Sequence, residues 1–68
     1  MEIKIGTKFV KQDKKIKHVE TVVDIYNTYN SKGELVKTRY VSEHEFMGQK
    51  IRDSDVVAVT IKRGLIEP

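Results

Sequence analysis

Ile3, Ile5 and Phe9 fall on odd positions of the chain, and this alternation predicts a first strand over about 3–10 with Gly6 as a bend or bulge. The following run, KQDKKIK at 11–17, holds one apolar residue and no structural period, so it reads as a mobile basic loop. Two long stretches rich in Val, Ile, Thr and Tyr come next, Val19 to Tyr29 and Leu35 to Phe46. Between them stands Asn30-Ser31-Lys32-Gly33, which fits a type I turn closing in a G1 bulge, with glycine where a positive φ is needed. The pair therefore reads as one long β-hairpin.

That turn sets a register. With Asn30 opposite Glu34, Tyr26 faces Thr38, Asp24 faces Tyr40 and Val23 faces Val41. One face then carries Val22, Tyr26, Val36 and Tyr40, and the other Val23, Ile25, Leu35 and Val41. Apolar groups on both faces fit a ribbon that twists or curls, exchanging its buried side along its length. Gly48 breaks the ribbon, and residues 50–52 supply a short return strand. The segment Asp53 to Leu65 has helical ends, with Asp53, Ser54 or Asp55 as caps, Lys62 and Arg63 in the last turn and Gly64 at C′. Its interior, Val56, Val57, Val59, Thr60 and Ile61, is β-branched and suits a strand equally well; we favour a short helix. The expected core is Ile3, Ile5, Phe9, Val23, Ile25, Val41, Phe46, Ile51, Val57, Ile61 and Leu65. The fold class is mainly β (α+β): an SH3-like small barrel, or a strongly twisted antiparallel sheet of 4–5 strands, with a short C-terminal helix.

Sixty-eight residues allow a single domain, taken as 1–68, with a marginal core. There is no cysteine, which removes disulfides, thiolate nucleophiles and Cys-based metal sites and favours an intracellular setting. No apolar run reaches the roughly 18 residues of a membrane span, so no membrane association is expected. The net charge of +3 is unevenly placed. Lys4, Lys8, Lys11, Lys14, Lys15 and Lys17 against Glu2 and Asp13 give residues 1–18 a net +4.

Little in the sequence points to catalysis. His44-Glu45 opens like the zinc motif H-E-x-x-H, but the fifth position is Gly48 and the segment reads as strand, so no metal is expected. Glu43 and Glu45 on the opposite strand face read as a solvated edge rather than an acid–base pair. The four glycines are scattered outside any phosphate loop, and Ser31, Ser42 and Ser54 lack a nucleophile elbow. The expectation is a protein that is not an enzyme and has no cofactor. Binding fits better. Tyr26 and Tyr40 lie on the hairpin beside Lys37 and Arg39, the mixture of rings and cations that single-stranded nucleic acid uses. Lys14, Lys15 and Lys17 add phosphate-neutralising charge. The bland alternative is a cross-strand tyrosine pair in a soluble sheet. A host protein received at a basic strand edge is an equal candidate partner, and a homodimer would add stability to so small a core.

The run TYNSKGELVKTRYVSEHEFMGQ and the tail DSDVVAVTIKRGL, with IGTKF and TVVDI upstream, resemble a group of small uncharacterised bacteriophage and prophage proteins. The resemblance spans most of the chain outside 11–17 and brings no catalytic residues with it. It implies an accessory protein in the cytoplasm of a bacterial host. The functional expectation is thus a non-catalytic binding module recognising nucleic acid or a host protein through the hairpin face. The alternative is a structural or oligomeric accessory protein with no separate ligand.

Overall fold

Strand propensity wins over most of the chain. The computed structural model describes residues 2–66, with β1 at Lys8–Asp13, β2 at Ile16–Tyr29, β3 at Leu35–Phe46, β4 at Gln49–Val56 and α1 at Ala58–Arg63. The strands form one antiparallel sheet in the order β1-β2-β3-β4, with β1 and β4 at its edges and the outer side of β1 bridged by Leu65. The protein is therefore a mainly β domain with a short C-terminal helix, its sheet twisted but not closed into a barrel. Among the described residues no helix is long and apolar enough to cross a membrane.

The central hairpin forms at the expected turn. Gly33 has φ 82°, its N–H donates to the Asn30 carbonyl at 3.0 Å, and the Asn30 side chain accepts from the Lys32 and Glu34 amides at 2.9 and 3.0 Å. The register departs from the expected one in the middle of the ribbon. Tyr29 pairs with Leu35 and Val22 with Ser42, but between them Tyr26 faces Arg39, Ile25 faces Tyr40 and Asp24 faces Val41. Irregularities at Val22/Asp24 and Thr28/Tyr29 shift and then restore the pairing. A one-residue slip reverses faces. Val22, not Val23, is consequently the fully buried valine.

Three further expectations are corrected. The first strand begins at Lys8 rather than near Ile3, because a turn at Ile5-Gly6 intervenes and leaves Ile5 exposed. The basic segment 11–17 is not a loop: Lys11–Asp13 end β1, Ile16 and Lys17 begin β2, and Lys14-Lys15 form the tight turn between them. Backbone pairing to β2 supplies what the side chains of this segment lack. At the other end, β4 runs on through Asp53-Ser54-Asp55 to Val56, so those residues do not cap the helix. Val57 occupies the N-cap without a side-chain bond.

The core is smaller than expected. Phe9, Val22, Val56 and Ile61 form the buried cluster, with Ile3, Ile25, Tyr40 and Leu65 packed around it. Val41 is also buried, while Ile5, Phe46, Ile51 and Val57 are exposed. Helix α1 covers this cluster and is tied to β1 by Val10 N–H donating to the Gly64 carbonyl at 2.7 Å and Ile66 N–H to the Lys8 carbonyl at 3.0 Å.

Candidate metal centre

The face that carries the core also carries a polar cluster. Phe9 pairs with Glu20 across β1–β2, and Val22 pairs with Ser42 across β2–β3. Directly opposed residues share a face, as do residues two apart on a strand. Glu20 therefore lies beside Phe9 and Val22, with His18 two residues before it and His44 two residues after Ser42. Glu20 is 1% exposed, an expensive place for a carboxylate without partners.

The Glu20 carboxylate divides its two oxygens between different tasks. Oε1 accepts from the Ser42 hydroxyl at 2.7 Å, and Ser42 is itself fully buried. Oε2 lies 2.6 Å from Nε2 of His18 and close against Nδ1 of His44. Yet Oε2 and both ring nitrogens are buried with no hydrogen bond between them or to any other group. Each ring nitrogen nonetheless makes an ion-pair contact with that oxygen. The imidazoles lie 4.1 Å apart between centroids, tilted by 34°, so both rings bring a nitrogen to the same side of the carboxylate. His18, Glu20 and His44 thus offer two nitrogens and one oxygen, all within 4.8 Å of one another.

The donor types suit a divalent transition metal. Imidazole nitrogen and carboxylate oxygen are ligands for zinc and for other first-row divalent ions, and two His with one carboxylate is a recurrent trio. An ion at about 2.0–2.1 Å from each donor would set adjacent donors about 3.3 Å apart, so on loading both nitrogen–oxygen contacts would widen and the two ring nitrogens would draw together. The Ser42 hydroxyl supplies the outer hydrogen bond that orients a ligating carboxylate.

An ion pair closes over the same face. Lys11 is opposite His18 on β1, Asp53 is opposite Ser42 on β4, and Lys11 Nζ meets Asp53 Oδ2 at 2.7 Å. In a flat sheet three strand spacings alone would hold the edge strands about 14 Å apart. The contact therefore reports a sheet curled into a trough. The Lys11 ammonium, and next the Asp55 backbone N–H, hold the Asp53 carboxyl below its ordinary value of 3.8. A depressed carboxylate contributes stability that is complete above its unfolded pKa and is lost as pH falls through the lower folded value. Since both side chains are about one-third exposed or more, the contribution is small. Asp53→Asn should lower stability at pH 7 by about 0.5 kcal/mol. It should also flatten the loss below about pH 4, as urea melts across the acid range would reveal.

The residues singled out from sequence are dispersed. Tyr26 pairs with Arg39 and Tyr40 with Ile25, so the two tyrosines, expected on one face, point to opposite faces. Tyr40 packs against the core, whereas Tyr26 is exposed, and Asp24 accepting its phenolic hydrogen raises its pKa above 10.0. Lys37 pairs with Thr28 near the tip of the long hairpin. Arg39 lies 3.5 Å from Asp55. Lys14, Lys15 and Lys17 are exposed at the opposite end; Lys17 and Thr28 are eleven residues apart on β2, about 36 Å at about 3.3 Å per residue. The structure does not gather these cations into one surface. Glu43 is taken by Arg52 at 2.8 Å and Lys50 at 3.8 Å, which lowers its pKa, with the Arg52 hydrogen bond as the main cause.

Sequence reasoning passed over the cluster, although a signal was present. His-x-Glu at 18–20 is a same-face pair at strand spacing, and a hairpin turn at 30–33 brings β3 alongside it. Testing His44 for helical spacing missed this. The domain is thus a four-stranded antiparallel trough with a buried two-histidine, one-glutamate donor trio. No protein-family model, curated protein or solved structure matches the chain.

Proposed function

We propose that this protein is a small, non-catalytic binding domain that holds a divalent transition metal through His18, Glu20 and His44. The observation that carries this reading is the convergence of the His18 and His44 ring nitrogens on Glu20 Oε2, all three atoms shielded from water. A divalent cation set between these three atoms would take the carboxylate and both imidazoles as ligands in a place shielded from water. Isothermal titration with zinc chloride tests it. One ion binds per chain, and Glu20→Gln or His44→Ala weakens binding by about 100-fold or more. Ser42→Ala, which touches only the outer carboxylate oxygen, weakens it about 10–100-fold. Absence of binding, or equal binding by the Glu20 and His44 variants, would overturn the assignment.

The hairpin arm beyond the core supports a second reading, in which it meets a macromolecule. Exposed Tyr26 stands opposite Arg39, with Lys37 two residues further along β3 on that face. A ring beside two cations of the neighbouring strand suits single-stranded nucleic acid better than it suits an acidic protein surface, because bases stack and phosphates pair. Anisotropy titration of a labelled oligonucleotide at two salt concentrations tests this, with binding weakened by salt and by Tyr26→Ala. No binding at low salt turns the arm toward a host protein or toward self-association, the latter visible as a melting temperature that rises with protein concentration. The phage-related setting, with its bacterial cytoplasm, belongs to the same proposal and rests on the likeness of the quoted sequence runs.

A further inference from the structure

Resting on the metal reading, we infer that the ion keeps one exchangeable position and that this position takes a carboxylate ligand with a short apolar body.

Donor count opens the position. Among the described residues the cluster contains three metal-ligand side chains, and no fourth His, Cys, Asp or Glu joins them. Zinc sites closed by protein have four such donors, and a three-donor site completes its tetrahedron from outside the chain. All three donors also rise from one face of two neighbouring strands, β2 and β3. They therefore approach the ion from the sheet side, and the fourth position lies between them and the Lys11–Asp53 ion pair that closes over this face.

Charge selects the ligand's sign. Two neutral imidazoles and one carboxylate leave a divalent ion with a residual +1 in a place where Glu20 and Ser42 are excluded from water. A monoanion brings the centre to neutrality, whereas a neutral or cationic ligand leaves a charge half-buried at a cost. In the exchange a metal–water bond breaks and a metal–oxygen bond to the carboxylate forms. No oxidation or proton transfer is required.

The surroundings select the rest of the ligand. Ile51 pairs directly with His44 across β3–β4, and Phe46 follows His44 by two residues on the same face. Neither belongs to the core. Phe46 is 57% exposed and Ile51 42% exposed, so exposed apolar surface continues from His44 toward the β3–β4 turn on this face. An acyl chain attached to the bound carboxylate would lie on that surface.

The test uses the full chain loaded with cobalt(II), whose visible absorption reports on its ligands, and the probes acetate and hexanoate. Both are expected to change the spectrum saturably, with hexanoate binding at least fivefold more tightly, since each methylene fully buried is worth roughly a factor of four. Phe46→Ser is expected to remove most of the hexanoate advantage while leaving cobalt uptake and acetate affinity unchanged. Because Phe46 is exposed, this variant should keep its fold. If cobalt binds and neither acid alters its spectrum, the exchangeable position is wrong and the metal site stands. If acetate and hexanoate bind equally, the apolar part of the ligand assignment falls. Failure of cobalt to bind removes the metal reading and this inference with it.

Discussion

Zinc at about 1,000 times its dissociation constant should raise the melting temperature by about 15–30 °C, and Glu20→Gln should abolish the rise. The size follows from mass action: a ligand at that excess, bound by the folded chain alone, stabilises it by about 4 kcal/mol. For a domain of this length each kcal/mol moves the midpoint by about 4–8 °C. The chain's total stability is on the order of 3–10 kcal/mol, so the metal would rival the whole metal-free fold. The variant gives the prediction its sharper edge. In the metal-free chain Glu20 accepts from the Ser42 hydroxyl and meets both imidazoles, contacts that an amide keeps only in part. Glu20→Gln should therefore melt somewhat below the parent in EDTA, and far below it in zinc. Thermal melts by circular dichroism in both conditions decide the matter. An equal zinc shift in parent and variant, or none in the parent, sinks the site.

A role of this kind suits what the rest of the molecule can supply. Among the described residues only Phe9, Val22, Val41, Val56 and Ile61 are buried hydrophobics, and there is no cysteine to form a disulfide staple. Below about 80 residues a core so small rarely supplies more than about 3–5 kcal/mol, and a structural metal is one of the usual additions. The donors join β2 to β3 beside the core rather than at a tip. An ion there would fasten the base of the long hairpin and leave its arm projecting.

Much of the fold was legible because it is written in local chemistry. Asn30 and Gly33 announce their turn, and Val19 to Tyr29 and Leu35 to Phe46 announce the strands it joins. What escaped detection has no such mark. The bulge at Val23 has neither glycine nor proline, and it reverses which of Val22 and Val23 is buried. The edge strand through Lys11 and Gln12 exists because β2 offers backbone partners, an effect that a side-chain pattern does not record. Reading 11–17 as loop had a consequence for the site. It left His18 at a strand's start, outside the period-two comparison with Glu20 that places both on one face. His44 could join them only once the β2–β3 register was known.

The helix end supplies the second large effect, since Gly64→Ala should unfold most of the population. Gly64 was expected to serve by adopting the left-handed conformation of a C′ residue. It has φ −111° and ψ 15°, which any L-residue can adopt, so alanine meets no conformational penalty there. In the unfolded chain alanine would even help, by restricting the backbone. The obstacle is space. A Cβ on Gly64 would stand 2.0 Å from the Val10 carbonyl oxygen, 2.9 Å from its carbon and 3.0 Å from its nitrogen. Those atoms are strand backbone, paired with Val19 on the far side and bonded through Val10 N–H to the Gly64 carbonyl at 2.7 Å. The strand cannot yield without leaving the sheet, so the helix must lift. Lifting it breaks that bond, the Ile66–Lys8 bond and the Phe9–Leu65 bridge, and it uncovers Phe9 and Ile61. Overpacking against fixed backbone with the loss of two hydrogen bonds costs about 3 kcal/mol or more, comparable with the lower range of the domain's stability. Gly33→Ala is the control, because its Cβ would meet nothing within 4 Å and only its φ of 82° is disfavoured, at about 1 kcal/mol. Urea melts should rank the two variants in that order. If Gly64→Ala were as mild as Gly33→Ala, helix docking would not be what closes the core. If zinc restored the Gly64 variant's β-sheet signal, the metal centre would hold β2 and β3 together independently of the helix.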